Sequence, residues 1–160
     1  HDERTQGYLN TFAQYPDIEV LDPVNTDADA ATGQARAAAL IQANPDLKAI
    51  VGTDSVGGAA AARAVEEAGK KGEIIVVAMD RDQDLLGYIK DGLVTASVAS
   101  RSFTTKYMAM YYIYWILKGS IEDIKPGVPN RSVGLDPIPF VTDTGNMLIT
   151  AENVDLFLND

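Results

Sequence analysis

The chain has no cysteine, and its single histidine stands at position 1. The first absence removes disulfides and thiolate metal sites, and the second leaves no plausible base for a Ser-His-Asp triad. Basic charge is short as well: 13 Lys and Arg against 23 Asp and Glu give a net charge of −10. A surface of that sign repels phosphate backbones and anionic lipid headgroups over a Debye length, so no nucleic acid partner is expected. No stretch approaches the ~18 nearly uncharged apolar residues of a membrane span, the best being Tyr107 to Leu117, and no membrane insertion is expected. Also missing are a Gly-x-Gly-x-x-Gly turn after a strand and a Walker A lysine, so a nucleotide-phosphate cradle is unsupported. What remains is a 160-residue chain, 46% hydrophobic and 22% charged, long enough for one domain with a real core.

Its most informative stretch runs from Lys48 to Asp80. The apolar Lys48 to Val51, the turn Gly52-Thr-Asp-Ser55, an alanine-rich helix ending at Gly69 and the apolar run Glu73 to Met79 make a strand-turn-helix-strand unit. That is the βαβ pattern of a parallel sheet covered by helices. Ligands of such sheets bind outside the carboxyl ends of the strands, which singles out Thr53, Asp54 and Asp80. Each aspartate also has a plain structural reading, as a cap on the helix that follows it.

On either side the pattern continues. Glu3 to Tyr15 reads as an amphipathic helix stopped by Pro16, Asp17 to Leu21 alternates like a short strand, and Ala30 to Gln42 is a strong helix former ended by Asn44-Pro45. Gln83 to Lys90 is a short helix closed by Asp91-Gly92, and Val94 to Ala99 a strand. Phe103 to Leu117 is apolar on most of its circumference and is expected to be well buried. From Ser120 onward four prolines forbid a long helix and leave short extended pieces such as Arg131 to Leu135 and Phe140 to Thr142. Thr150 then caps a short amphipathic turn. Residues 1–120 are therefore expected to form one domain and residues 121–160 a wrapping segment.

Enzyme patterns fail on inspection. Asp80-x-Asp82-x-Asp84 resembles the start of a calcium loop, but Leu85 stands at its sixth position and Asp91 at its twelfth, so no metal is expected. Thr53-Asp-Ser55-Val-Gly57 lacks the first glycine of a nucleophile elbow. Nothing points to a carboxylic acid with the raised pKa that glycoside hydrolysis needs.

The elements begin with a helix, whereas each βα unit of a doubly wound sheet begins with a strand. In the order 2-1-3-4-5 the strand missing before Glu3 would lie between those at residues 17 and 47 and leave both short of a neighbour. The expectation is a three-layer α/β lobe with a doubly wound, mostly parallel sheet whose first strand is missing from this chain. The chain would then be a fragment, or a nicked product completed by a partner chain.

Arg4-Thr-Gln-Gly7, Val51 to Gly58, Val76-Val-Ala-Met-Asp80, Ile89 to Ala99, Leu117-Lys-Gly119, Asp143-Thr-Gly and Thr150 to Asp155 stand in the order and spacing of one family. Together they resemble the C-terminal lobe of the type I periplasmic sugar-binding proteins, the ribose-binding-protein class, over nearly the whole chain. The resemblance implies two similar α/β lobes, here without the N-terminal one, closing on a small sugar or polyol without chemistry or cofactor. It further implies an ABC transporter permease or a membrane sensor as partner, and a periplasmic or extracellular location, compatible with a lipoprotein. Residue by residue, it makes Arg4 a ligand donor, Thr53 and Asp54 the polar turn of the third strand, Asp80 an acceptor of two adjacent hydroxyls, and Ser100 a shorter donor where relatives carry Gln or Asn. Ala28 stands where some relatives place a stacking aromatic. Two other readings stay open. One is the effector-binding domain of a LacI-type transcriptional regulator, marked by an upstream helix-turn-helix; the other is a small α/β sugar-processing enzyme, marked by turnover.

Overall fold

The computed structural model describes residues 2–118 and 141–158. In chain order the elements are α1 (Asp2–Phe12), α2 (Ala30–Ala43), β1 (Ala49–Val51), α3 (Gly57–Glu67), β2 (Ile75–Met79), α4 (Gln83–Lys90), β3 (Ala96–Ser100), α5 (Ser102–Leu117), β4 (Asn146–Thr150) and a 3-10 turn at Val154–Leu156. Two compact units emerge, His1–Ala99 with Leu148–Asp160, and Ser100–Met147.

In the first unit the strands lie in the order β1-β2-β3-β4. β1 pairs with β2 in parallel with Val51 opposite Val77, and β2 pairs with β3 in parallel with Met79 opposite Val98. This is the mixed α/β, open and largely parallel sheet that the βαβ pattern implied. Val76 and Ala78 on β2 are buried, as are Ala60, Ala61, Ala62, Ala64 and Val65 of α3, the helix that packs on this strand. Helix α3 packs on α2, α4 and both strands, so small side chains there let the backbones approach closely. Leu85, Leu86 and Ile89 of α4 fill the core, joined by Ile149 of β4 and Val154 of the 3-10 turn. The turn is fastened to α4 by Lys90 Nζ on Asp155 Oδ1 at 2.8 Å.

The close approach is most severe where β1 turns into α3. A Cβ on Gly52 would stand 2.4 Å from the backbone nitrogen of Gly58, and one on Gly58 would stand 2.3 Å from Ala78 Cβ. Glycine at these two positions lets the first turn of α3 sit against the carboxyl ends of β1 and β2.

Three expectations need revision or setting aside. Asp17 to Leu21 forms no strand; the chain there is irregular, with Ile18, Val20 and Leu21 substantially exposed. A strand needs a neighbour to satisfy its backbone, and among the described residues no strand lies beside this segment. Helix α5 has no buried residue, contrary to the reading from its apolar circumference. Within its own unit its rings stack on one another instead, Phe103 on Tyr107 at 6.3 Å and Tyr107 on Tyr111 at 5.7 Å between centroids. A helix apolar all round has no single face to direct, and its aromatic side chains take each other as neighbours one turn apart. The extended piece at Arg131 to Leu135 lies outside the described residues, as does Phe140. β4, by contrast, was not foreseen: its Met147-Leu-Ile149 is too short a run to read as a strand alone.

Candidate functional site

The carboxyl ends of β1 and β2 carry the residues singled out from the sequence. Thr53 and Asp54 follow β1, and Asp80 follows β2. The parallel register, extended by the bond from Gly52 N–H to the Val77 carbonyl at 2.8 Å, brings these two strand ends to one edge of the sheet.

Arg4 reaches the same edge from α1. Its guanidinium Nη1 donates to the carbonyl oxygen of Thr53 at 3.1 Å, across 49 residues of chain. One turn along α1, burial pushes the Tyr8 phenol upward, with the positive charge of Arg4 opposing the shift. An arginine fork holding a backbone carbonyl with one nitrogen keeps further N–H groups for hydroxyls or a ring oxygen.

Asp54 has a structural role that the geometry defines. Its Oδ1 accepts from the backbone N–H of Val56 at 3.1 Å and of Gly57 at 2.5 Å, so it closes the turn and covers the amino end of α3. Oδ2 is bonded by none of the described residues.

Asp80 differs. It sits at φ 72°, in the left-handed region that costs a non-glycine residue about 1–2 kcal/mol. Its N–H donates to the Val98 carbonyl at 3.0 Å, and its own carbonyl accepts from the Ser97 hydroxyl at 2.6 Å. Its carboxylate is bonded by none of the described residues. Nor does it cap α4: the N-cap there is Asp82, whose side chain makes no capping bond. The plain helix-cap reading therefore fits Asp54 and does not fit Asp80.

Four of the five expected residues thus gather at one sheet edge within the first unit. The fifth, Ser100, is the last residue of β3 and belongs to the second unit, where its Oγ lies 3.4 Å from Ser102 Oγ. Two further strained residues, Asp27 at φ 53° and Ala28 at φ 53°, form the turn into α2, with Asn25 bracing Asp27 at 2.7 and 3.0 Å. Sequence reasoning missed Ser97, the only buried polar residue among those described. It also missed the Gly52 and Gly58 contacts, although the Gly57-Gly58 pair at a helix start was a visible signal. Among the described residues no group of His, Cys, Asp or Glu side chains is arranged to hold a metal ion. No helix among them is long and apolar enough to cross a membrane.

A parallel sheet with polar side chains converging at its carboxyl edge is common to many binding folds, so comparison with known proteins decides among them. A family model for the periplasmic binding protein domain matches residues 1–121. The chain belongs to that family. Among solved structures, a sugar-binding protein of a sugar ABC transporter from Bacillus halodurans is 29% identical with a TM-score of 0.85, the match covering 98% of this chain and 52% of that one. AraP, an arabinose binding protein from Geobacillus stearothermophilus, is 27% identical with a TM-score of 0.85, over 99% of this chain and 52% of its own. An ABC transporter solute binding protein from Burkholderia graminis, in complex with D-arabinose, is 28% identical with a TM-score of 0.82, over 99% of this chain and 50% of its own. The present periplasmic binding protein domain therefore spans about half the length of these proteins, and its α/β architecture is theirs.

Proposed function

We propose that this periplasmic binding protein domain is one lobe of a solute-binding protein that takes a sugar or polyol at the carboxyl edge of its sheet and releases it unchanged. Arg4 is the donor, Asp80 the acceptor of two adjacent hydroxyls, Thr53 and the free oxygen of Asp54 the flanking polar groups. Ser100 is proposed separately as a ligand donor from the second unit. The wider role is delivery of the ligand to an ABC transporter, the system that two of the similar proteins are named for. A second lobe, a permease and a periplasmic or extracellular location complete that reading.

The observation that carries it is the Asp80 carboxylate: held at an unfavourable backbone angle, left without a partner among the described residues, and set at the edge that Arg4 also reaches. Carboxylates and guanidinium forks suit vicinal hydroxyls because each makes two directed, charge-assisted bonds. With one lobe supplying the contacts, affinity on the order of millimolar is expected. An amide NMR titration of the 160-residue chain with D-arabinose, D-fucose, D-tagatose and D-allose tests it. The expected result is saturable shifts at Arg4, Thr53, Asp54 and Asp80 with at least one sugar. Shifts confined to other parts of the chain, or none with any sugar, refute the proposal.

A further inference from the structure

The geometry points to Ser97 as the positioning residue for Asp80: its buried hydroxyl holds the Asp80 peptide in the left-handed conformation that presents the carboxylate to the ligand. This inference rests on the sugar-binding reading of the same edge and adds a residue to it.

Ser97 lies on β3 opposite Ala78 of β2 and is fully buried, at 0% exposure. A central strand position of this kind favours a β-branched apolar side chain, and burying a hydroxyl there is unfavourable unless it is bonded. The hydroxyl has one partner, the carbonyl of Asp80 at 2.6 Å. Next along the strand, the Val98 carbonyl takes the Asp80 N–H at 3.0 Å. Both polar atoms of the Asp80 main chain are thus gripped by consecutive residues of β3, and the grip coincides with φ 72°.

The strain and the grip explain each other. An unsupported aspartate after a strand has no reason to stay left-handed, because the extended and right-handed regions are lower in energy. Strained backbone persists where surrounding structure over-determines it, and it concentrates where a side chain must be aimed. Here the aimed side chain is one that neither caps α4 nor bonds a described residue. A serine placed only to fill space would be replaceable by alanine with no effect on the conformation of Asp80.

The test uses the 160-residue chain as wild type, Ser97→Ala, Asp80→Gly and the double variant, with D-arabinose as probe. NMR shifts and couplings report φ at residue 80, and sugar titration reports affinity. Ser97→Ala is expected to shift residue 80 out of the left-handed region and to weaken D-arabinose by about fivefold or more. In the Asp80→Gly background the same substitution should leave the sugar affinity unchanged, since the side chain being aimed is gone. Equal losses in both backgrounds, or a residue 80 that keeps its positive φ in Ser97→Ala, overturn the inference. If Ser97→Ala does not fold, Ser97→Cys keeps the volume with a weak donor and should show the same pattern at smaller amplitude. A wild type silent toward every sugar defeats the binding reading, and φ at residue 80 then decides the role of Ser97 alone.

Discussion

Alanine at position 58 should destabilise the domain although alanine is the better helix former. Gly58 is the second residue of α3, and a Cβ there would stand 2.3 Å from Ala78 Cβ and 2.9 Å from Ala78 Cα. Ala78 is fully buried on β2, which is paired on both sides, and a methyl on a strand backbone has no rotamer in which to withdraw. The helix must therefore lift off the sheet and loosen its contacts with α2, β1 and β2. Overpacking of this kind costs about 1–3 kcal/mol, offset by at most ~1 kcal/mol of helix propensity. A net loss of about 1–2 kcal/mol corresponds to a melting temperature lower by about 2–8 °C for a chain of this size. Gly87→Ala is the control: it lies inside α4 and a Cβ there meets nothing within 4 Å, so the same substitution should stabilise by about 0.5–1 kcal/mol. Thermal unfolding followed by circular dichroism separates the two. A Gly58→Ala melting temperature at or above wild type, or both variants moving the same way, refutes the packing argument.

Asp54→Ala removes the acceptor for the N–H groups of Val56 and Gly57 and should cost about 0.5–2 kcal/mol in urea unfolding without sugar, and more with sugar present because a ligand contact is lost as well. Asp80→Asn should leave the melting temperature nearly unchanged, because asparagine also tolerates positive φ, yet weaken sugar by about tenfold or more through loss of the charged acceptor. An unchanged titration would remove Asp80 from the binding edge. The Asp29 carboxyl is held below its ordinary value, first by the backbone N–H of Thr32 at the start of α2. A lowered folded-state pKa gives stability that is present above the unfolded value and lost as pH falls through the folded one. Urea midpoints of wild type and Asp29→Ala should thus converge on acidification. A constant gap through the acid range would show that the cap works without its charge.

Much of the fold was legible because its signals are local. The alanine runs of α2 and α3, the Asp-Gly stop after α4 and the apolar runs of β1, β2 and β3 each announce themselves within about ten residues, the scale on which periodicity and capping act. Asp17 to Leu21 has as good an alternation as β3 and still forms no strand, since pairing depends on a neighbour that no local pattern reports. The exposure of α5 was illegible for a similar reason: apolar composition says that a helix wants burial, not what stands beside it. At the site, Thr53, Asp54 and Asp80 followed from strand ends and topology, whereas Arg4 was reachable only through the family resemblance. Ser97 could not have been found, because a serine within a strand acquires meaning only when the φ of the residue it holds is known.

Helix α1 has no buried residue, and among the described residues its Arg4 reaches the strand edge by donating to the Thr53 carbonyl. An element so lightly seated opens at little free-energy cost compared with the core strands. Any solute gripped by Arg4 must also immobilise those eleven residues, so part of its intrinsic attraction goes into ordering and the measured affinity understates the contacts made. Amide exchange along the helix should then slow on saturation even where no atom of the solute arrives.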